Sequence, residues 1–534
     1  MVRDRDRLNR LPAWVPVALT ALPAAVIVVF YAWPLVGLAA RLTETGQRIT
    51  VDLRDIADVA WFTLWQAAAS TALTLVVGLA PAWALARHHF RGRRWIVGLV
   101  TVPFMLPTVV VAAAFMALLP SSLRSGVTAI LAAHVFFNVA VVVRLCGAMW
   151  AAIPTDLPAA ARTLGARPVQ VLRHVLLPVL RPSIVAASTV VFLFTFTSFG
   201  VVRLLGRPGE ATLEVEIARR ATQFGDVRGA VVLSAVQLLL LAGVVWWSAR
   251  AQRRASLALH GASAPRRLRG RSGRWAAVVL ATITVALLTP LVALAASSLR
   301  PGGRWSLAAW RTLGRAEIRP GVGLGVDPLA SMWVSLRYAL LAGAIATLVG
   351  VLAALAVAVA RRGRWLDTGL MLPLGTSAVT LGLAMLVTFD RAPFDWRGEW
   401  WLVPLGHALI GIPFVVRVTL PALRSIPTDQ RAAALTLGAS PTRAWLAVEV
   451  RRIVRPALTG LGFATAISVG GFGATTFRTR AGRETLPIAV ARLLGRAGAL
   501  PRAQGYALAT VLMAVTILVV ALVDRQETGD ARHS

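Results

Sequence analysis

The sequence predicts an all-α polytopic membrane protein with about 12 transmembrane helices in two parallel six-helix repeats. Of its 534 residues, 57% are hydrophobic and only 15% are charged, and the mean hydropathy is +0.70. Such a chain has more apolar side chains than a soluble core can hold and too few polar ones to cover them. Its apolar runs reach the roughly 20 residues that an α-helix needs to cross the hydrocarbon layer. Strands of a membrane barrel would be about half as long and would alternate, so the predicted fold class is all-helical.

The apolar runs also predict the orientation of the chain. Four arginines within the first ten residues precede the first run, which has no small-residue cleavage site, so we expect a retained helix and a cytoplasmic N-terminus. The arginine-rich loops at 87–94 and 361–364 then face the cytoplasm, as the positive-inside rule requires, although the basic loop at 477–504 does not follow the rule. The predicted spans are residues 13–40, 61–86, 95–119, 127–151, 183–205, 229–248, 275–298, 333–360, 365–388, 401–422, 457–476 and 505–523.

A polar segment occurs twice between apolar runs. Its first copy begins at Ile153-Pro154-Thr155-Asp156 and its second at Ile426-Pro427-Thr428-Asp429, and the glycines that follow are separated by 438 − 165 = 273 residues. One ungapped register over that distance indicates a duplicated unit. The same offset pairs His134 with His407, Arg144 with Arg417, Phe199-Gly200 with Phe472-Gly473, and Thr212-Leu213 with Thr485-Leu486.

The duplication predicts how the chain is divided. Each unit has six spans, an even number, so the two copies have the same orientation and are related by an axis along the membrane normal. We expect a path between two such halves. The predicted segments are a cytoplasmic N-terminus (1–12), a first unit (13–248) with its polar loop at 153–182, a basic linker (249–274), a second unit (275–523) with its loop at 426–456, and a cytoplasmic tail (524–534).

Several other functions are disfavoured by the sequence. The net charge of +33 comes from short basic stretches between apolar runs, without a polar domain that carries stacking aromatics, so no nucleic acid is expected as a partner. The single Cys146 lies in an apolar run and is expected to be a buried, inert thiol. His88-His89 lie in a basic loop and are expected to be solvated, so no metal site is predicted. The chain lacks a G-x-x-x-x-G-K-[ST] phosphate loop and H-E-x-x-H, and we predict no enzyme and no cofactor bound by this chain.

The repeated loop carries a resemblance to a known family. An alanine triplet, three residues, a glycine, nine residues, a β-branched residue, one residue and then Leu-Pro resemble the E-A-A loop of ATP-binding-cassette importer permeases. Both copies depart from that loop by having alanine at the usual glutamate position, and the second has Val450-Arg451 in place of Leu-Pro. The matching residues are Ala159, Ala160, Ala161, Gly165, Val175, Leu177 and Pro178 in the first copy, and Ala432, Ala433, Ala434 and Gly438 in the second.

Flanking sequences resemble one branch of that family. Residues 134–138 (His-Val-Phe-Phe-Asn), 196–200 (Phe-Thr-Ser-Phe-Gly) and 471–476 (Gly-Phe-Gly-Ala-Thr-Thr) are similar to double-length permeases for thiamine and ferric iron. The resemblance implies two copies of a cytoplasmic cassette ATPase, which would bind ATP and Mg²⁺, and an extracytoplasmic substrate-binding protein. It also implies that each alanine-rich loop couples to one ATPase subunit. An ordinary amphipathic connector would explain one copy of the loop, but it explains two matching copies poorly.

Polar residues inside the spans are candidates for the translocation path. His134 and His407 lie in apolar runs, where hydrocarbon penalises ionisable groups, so each can line the path or satisfy a carbonyl of a neighbouring helix. Asn138 is a further candidate, although Gly411 occupies the matching position of the second unit. Arg144 and Arg417 can snorkel to the interface instead.

Two repeated features follow the fifth span of each unit. Phe199-Gly200 and Phe472-Gly473 are predicted near its outer end, where they can gate the path or allow close helix packing. The segments at 212–219 and 485–492 form a duplicated external element, which can dock the binding protein or cap the bundle.

The sequence therefore predicts a bacterial inner-membrane permease subunit of an ATP-driven importer. Thiamine is favoured as the solute and ferric iron is next, while a polyamine or another solute of the superfamily stays open. The alternative from another class is an ion-gradient-coupled secondary transporter with two six-helix halves. That class usually has acidic residues in its spans, and these spans are nearly free of Asp and Glu.

Overall fold

The computed structural model describes residues 14–43, 52–253 and 266–530, apart from short gaps at 315–316, 320–321, 324–325, 360–362, 391–393, 397, 474 and 478–483. The predicted N-terminal segment 1–12, most of the linker, and part of the basic loop at 477–504 lie outside the described residues.

The first repeat is almost entirely helical, with proline tolerated inside several helices because neighbouring helices can satisfy the freed backbone groups. Its helices are α1 (Trp14–Ile27), α2 (Trp33–Thr43), α3 (Leu53–Arg87), α4 (Arg93–Met105), α5 (Thr108–Leu118), α6 (Val127–Ala152), α7 (Asp156–Thr163), α8 (Pro168–Val171), α9 (Leu177–Phe196), α10 (Gly200–Leu205), α11 (Leu213–Thr222) and α12 (Val227–Arg253). Single π-helical turns at Val28–Ala32 and Leu172–Leu176 join α1 to α2 and α8 to α9.

The second repeat has a similar order of elements, but among its described residues no helix corresponds to α10. Its helices are α13 (Gly270–Ser298), α14 (Ala308–Arg311), α15 (Pro328–Val359), α16 (Gly363–Met371), α17 (Ala378–Thr388), α18 (Leu402–Arg424), α19 (Thr428–Thr436), α20 (Pro441–Trp445), α21 (Val454–Val469), α22 (Leu486–Leu494) and α23 (Ala499–Asp530). A π-helical turn at Leu446–Val450 follows α20, and 3₁₀ turns lie at Pro301–Gly303 and Leu372–Gly375. The strands are short: β1 (His88–His89) pairs with β2 (Arg266–Arg267) in parallel, and β3 (Glu317–Arg319) pairs with β4 (Val322–Gly323).

The structure confirms the all-helical membrane fold. Among the described residues, nine helices are long and apolar enough to cross a bilayer, and the bent pair α4 and α5 would make a tenth. The shorter apolar helices α17 and α21 lie where the remaining two predicted spans were expected.

Three predicted spans are not continuous helices. The run at 95–119 is two helices bent by 105° at Leu106-Pro107, because a residue before proline is disfavoured in the α conformation. The run at 365–388 is interrupted at Thr376, which is extended, and Ser377 then caps α17 by accepting hydrogen bonds from the Val379 and Thr380 amides. The run at 183–205 ends as a helix at Phe196 and resumes as the short α10.

The chain forms two compact units that do not follow the order of the repeats. One contains residues 1–48, 325–488 and 514–534, and the other contains 49–324 and 489–513. In the first of these, α1 packs against α15 and α2 packs against α17. In the second, α13 packs against α3, α4 and α5. The first span of each repeat therefore packs on helices of the other repeat, and the predicted segment boundaries describe the duplication only.

Close helix packing in both units depends on small residues. A Cβ added to Gly78 would lie 2.7 Å from Val142 Cβ, and one added to Gly350 would lie 2.7 Å from Val415 Cβ. Val142 and Val415 are separated by the repeat offset, 415 − 142 = 273. Since lipid tails are as apolar as leucine, helices in a membrane associate through such close contact.

Candidate functional site

The predicted coupling loops each form a short helix with an almost identical C-terminus. In α7 the Ala166 amide donates to the Ala161 carbonyl at 3.0 Å, and in α19 the Ala439 amide donates to the Ala434 carbonyl at 3.1 Å. This six-residue closure is the Schellman motif, which needs a left-handed residue after the helix. Both loops therefore end in the same rigid turn.

Gly165 and Gly438 supply the left-handed residue, with φ of +82° and +86°. A Cβ added at either position would meet nothing within 4 Å, so glycine is required by the backbone conformation and not by lack of space. Both glycines therefore form a sharp turn.

The surface of the two helices is also duplicated. Ala159 and Ala160 are exposed in α7, as are Ala432 and Ala433 in α19, while Ala161 and Ala434 are half-buried. Directly before the glycines, Leu164 and Leu437 are each 88% exposed. A leucine held out in water at the same point of both repeats indicates a surface that a partner covers. Sequence analysis missed these two leucines, although their common offset of 437 − 164 = 273 could have revealed them.

A second helix follows each predicted coupling helix. In the first repeat it continues into α9, whereas in the second a turn at Ile453 precedes α21. Pro168 begins α8 and Pro441 begins α20, and proline is favoured at this first position because its missing N–H needs no partner there. Both helices then pass through a π-helical turn, at Leu172–Leu176 and at Leu446–Val450. Such turns inside α-helices are frequent at functional sites.

The second coupling loop contains an ion pair that the first one lacks. Arg431 Nη1 lies 3.5 Å from Glu449 Oε1, whereas Pro158 and Leu176 occupy the matching positions of the first repeat. Burial raises the pKa of Glu449, and the Arg431 charge acts in the opposite direction. The pair ties α19 to the π-helical turn that follows it.

His134 lies at the centre of a buried polar cluster. Its ring is 2% exposed. Nδ1 lies 3.0 Å from Ser70 Oγ on α3, and Nε2 lies 2.8 Å from Ser198 Oγ in the break between α9 and α10. One imidazole therefore connects two helices and the segment that precedes Phe199.

His407 is equally buried but has different surroundings. Its Nδ1 lies 2.8 Å from Ser468 Oγ, and its ring packs against Gly471, where an added Cβ would lie 2.6 Å from Nε2. Gly471 occupies the position of Ser198 in the first repeat, since 471 − 198 = 273. The two histidines occupy equivalent positions in the two repeats, but their side chains contact different residues.

The other predicted path residues have mixed surroundings. Asn138 is 1% exposed, and its amide donates to the His134 carbonyl of the same helix at 2.9 Å. Arg144 and Arg417 are exposed; Arg144 donates to Thr101 Oγ1, and Arg417 approaches Met371 Sδ. The path assignment of His134, Asn138 and His407 stays a prediction.

The Phe-Gly pairs follow breaks in the fifth helices. Phe199 and Phe472 are buried, at 6% and 7% exposure, and Phe199 precedes α10 directly. A Cβ added to Gly473 would lie 3.0 Å from Val379 Cγ2, so close packing explains that glycine. A role of Phe199, Gly200, Phe472 and Gly473 as a gate stays a prediction.

The duplicated segments predicted to be external are short helices whose first amide is held by a hydroxyl group. The Leu213 amide donates to Thr63 Oγ1 on α3 at 2.9 Å, and the Leu486 amide donates to Ser335 Oγ on α15 at 2.6 Å. In α11 the buried Glu216 is paired to Arg219 and Arg220. Docking of a binding protein and capping of the bundle both stay predictions for these two helices.

The prediction for His88 was wrong. Its side chain is 4% exposed. Nδ1–H donates to the Ala84 carbonyl at 3.2 Å, and Nε2 accepts from Ser272 Oγ at 3.1 Å. Ser272 is 184 residues away in the sequence, a long-range contact that local charge does not reveal. Among the described residues there is no group of three His, Cys, Asp or Glu side chains placed to hold a metal ion. Cys146 is a free, buried thiol as predicted.

A duplicated helical bundle whose two halves each present the same exposed, glycine-terminated helix has the features of a transport subunit moved by a soluble partner. A family model confirms this class over residues 74–296 and 346–527. The chain belongs to the family of binding-protein-dependent transport system inner membrane components. It is thus a permease subunit of an ATP-binding-cassette importer in the inner membrane, whose partners are a separate ATPase and a binding protein.

Individual relatives agree on the class and differ in their names. The chain is 28% identical over 497 residues to the thiamine transport system permease protein ThiP of Escherichia coli, which covers 87% of this chain and 88% of the relative. It is 26% identical over 590 residues to a probable ABC transporter permease protein of Sinorhizobium fredii, with 99% of both chains covered. A putative 2-aminoethylphosphonate transport system permease protein of Salmonella typhimurium is 30% identical over 257 residues, which are 47% of this chain and 94% of the relative.

The glycine turns allow a first prediction. We expect Gly438→Ala to weaken coupling, because a Cβ in the left-handed conformation costs about 1–2 kcal/mol and loosens the turn that holds Leu437. Substrate-stimulated ATPase activity of the reconstituted complex should fall severalfold. Gly438→Asn is the matched control, since asparagine adopts this conformation more readily and should retain most activity. Equal activity of all three proteins would contradict the requirement for this turn.

Proposed function

We propose that this chain imports a small solute, with thiamine as the first candidate. The observation that supports thiamine as the substrate is the similarity of this chain, over 87% of its length, to a double-length thiamine permease. The 2-aminoethylphosphonate relative matches only 47% of this chain. Ferric iron, the other candidate of the sequence analysis, follows thiamine.

We further propose that two copies of the ATPase bind this chain, one at α7 and one at α19. The support is the duplication itself: the same alanines, the same left-handed glycine and the same 88% exposed leucine occur in both loops. Closure of an ATPase dimer would then move both coupling helices at once, and α8 and α20 would transmit the motion to the spans that follow. Because alanine occupies the usual glutamate position, this contact depends mainly on shape and apolar surface.

The proposed orientation follows from where the ATPase must bind. Both coupling helices belong on the cytoplasmic side, and the arginine-rich loop after Arg87 belongs there too. With six spans per repeat, both termini would be cytoplasmic. The external helices α11 and α22 would then lie on the side from which a binding protein delivers the solute.

Uptake in proteoliposomes tests the substrate. The permease is reconstituted with its co-purified ATPase and its binding protein, and labelled thiamine is offered with and without internal ATP. ATP-dependent accumulation of thiamine supports the proposal. Accumulation of iron or of 2-aminoethylphosphonate instead, with no thiamine uptake, would replace the substrate and leave the permease class unchanged.

The gate hypothesis gives a second prediction. We expect the double variant Phe199→Ala and Phe472→Ala to increase ATP-independent leak of solute from proteoliposomes severalfold, because two buried rings that close a narrow path would be removed. Phe224→Ala, at a phenylalanine that is 65% exposed, is the control. A leak equal to that of the control would assign Phe199 and Phe472 to packing alone.

A further inference from the structure

Seven exposed arginines lie in two segments that the structure brings together. The first segment is the loop after α3 and the start of α4, and the second is the end of the linker and the start of α13. We call these arginines the basic patch: Arg91, Arg93, Arg94, Arg267, Arg269, Arg271 and Arg274. The parallel pairing of β1 with β2 joins the segments, with His88 opposite Arg266.

His88 fastens the linker to the loop by its side chain. Because a carbonyl can only accept, its Nδ1–H donates to Ala84 on α3, and Nε2 is left to accept from Ser272 on α13. Trp83 packs edge-on against the same ring at 5.2 Å. These contacts hold the two arginine-bearing segments of the basic patch side by side.

Acidic side chains are absent from the surrounding sequence. No Asp or Glu occurs between Asp58 and Asp156, or between Asp226 and Glu317. Among the described residues, no ion pair involves an arginine of the basic patch. Arg93 donates to the Leu85 carbonyl, and Arg94 lies over the Trp95 ring.

Four of the seven arginines also stand in the first five residues of α4 and α13, where the helix dipole disfavours cations. Helix stability therefore does not explain these charges.

The basic patch lies at the same end of its unit as α7. Helices α3 and α6 run in parallel: Ser70 bonds His134, Gly78 packs against Val142, and Gly147 packs against Ala82. The residues that follow these two helices, 88–94 and 153–165, must then lie at the same end. Given the proposed orientation, the basic patch faces the cytoplasmic leaflet.

Two tryptophans place the basic patch at the membrane surface. Trp95 is 72% exposed and Trp275 is 62% exposed, and each directly follows an arginine of the patch at the start of an apolar helix. Exposed tryptophan at the end of a span belongs at the level of the lipid headgroups. Arginine beside it, with bidentate donors, suits the phosphate of a phospholipid.

We propose that the basic patch binds anionic phospholipid headgroups of the cytoplasmic leaflet. Clusters of four to eight basic residues next to a span attract anionic lipid, and each basic residue near such a surface contributes about a fivefold factor in binding. The patch thereby fixes the linker and α13 at the membrane surface. This inference rests on the proposed orientation, but it is independent of the transported solute.

Lipid titration of the purified full-length permease tests the proposal without the ATPase. Native mass spectrometry measures binding of phosphatidylglycerol and of phosphatidylcholine with the same acyl chains. The patch variant is Arg91→Gln, Arg267→Gln and Arg271→Gln; none of these three side chains bonds to a described protein group. The control is Arg304→Gln, Arg311→Gln and Arg502→Gln, which removes three exposed arginines that follow the other end of α13 or lie in α23.

We expect the preference for phosphatidylglycerol to fall at least about tenfold in the patch variant and less than about twofold in the control. His88→Ala, which keeps every arginine, should lower it severalfold by releasing Ser272. An equal loss in the patch and control variants would overturn the proposal, as would a wild-type protein without lipid preference. Unchanged lipid binding with loss of ATPase co-purification in the patch variant would assign the surface to a protein partner instead. Because lipid binding is measured without transport, a failure of the proposed solute to be transported would not change this result.

Discussion

Replacing Leu164 and Leu437 together by glutamate is expected to abolish coupling between ATP hydrolysis and transport. Each leucine is 88% exposed in the permease alone, so the substitution removes almost no contact within the chain and the protein should insert and fold normally. Burial of one leucine side chain in a partner is worth about 1.5–3 kcal/mol, and a charge in an apolar cleft adds a desolvation penalty. We expect substrate-stimulated ATPase activity and ATPase co-purification to fall more than about tenfold.

The control for this variant is Leu53→Glu, at a leucine that is 80% exposed and stands at the other end of α3 from the coupling face. It adds one charge at an equally open site that no ATPase should touch. Single substitutions in one loop should give an intermediate loss, because each loop is proposed to bind its own ATPase. Full ATPase binding and activity in the double variant would contradict the coupling assignment of α7 and α19.

Replacing His134 by alanine is expected to destabilise the permease by about 2–3 kcal/mol. Hydrogen bonds between helices in a membrane average about 0.6 kcal/mol and reach about 1.7, and the lost ring volume adds a cavity term. His134 makes two such bonds, to Ser70 and to Ser198, from a ring that is 2% exposed. Thermal unfolding in detergent should show a lowered midpoint.

The control here is His89→Ala. His89 is an exposed histidine in β1 that contributes only backbone to the β1–β2 pair. Because His134 also holds the segment before Phe199, its loss should increase solute leak along with the loss of stability. A thermal unfolding midpoint equal to that of His89→Ala would show that the hydrogen bonds of His134 do not stabilise the permease. A lowered midpoint with unchanged leak would separate the structural role from gating.

Much of the candidate site could be predicted from the repeat. The alanine triplets and the glycines at 165 and 438 stand in one register, and a helix closed by a left-handed glycine is a local structure that few residues encode. The exposed Leu164 and Leu437 were visible in the same register. Their importance became evident only from their exposure, because a leucine in a sequence is more often buried than presented.

Contacts between distant segments could not be predicted in the same way. His88 looked solvated because its neighbours are arginines, yet it is buried and bonds to Ser272, which is 184 residues away. His134 and His407 looked equivalent, but Ser198 and Gly471 give them different partners. Such differences depend on which helices pack together, and that information is spread over the whole chain.

The sequence by itself determined the membrane class, the duplication and the two glycine-terminated helices, because hydropathy, a fixed offset and a glycine turn are properties of local stretches. Only the tertiary structure decided that α1 and α13 each pack on helices of the other repeat, that the span at 95–119 bends by 105°, and that the linker gathers the basic patch. The physical reason is that apolar helices in lipid are all similarly hydrophobic. Their partners are selected by small residues, hydrogen bonds and close packing between segments far apart in the chain.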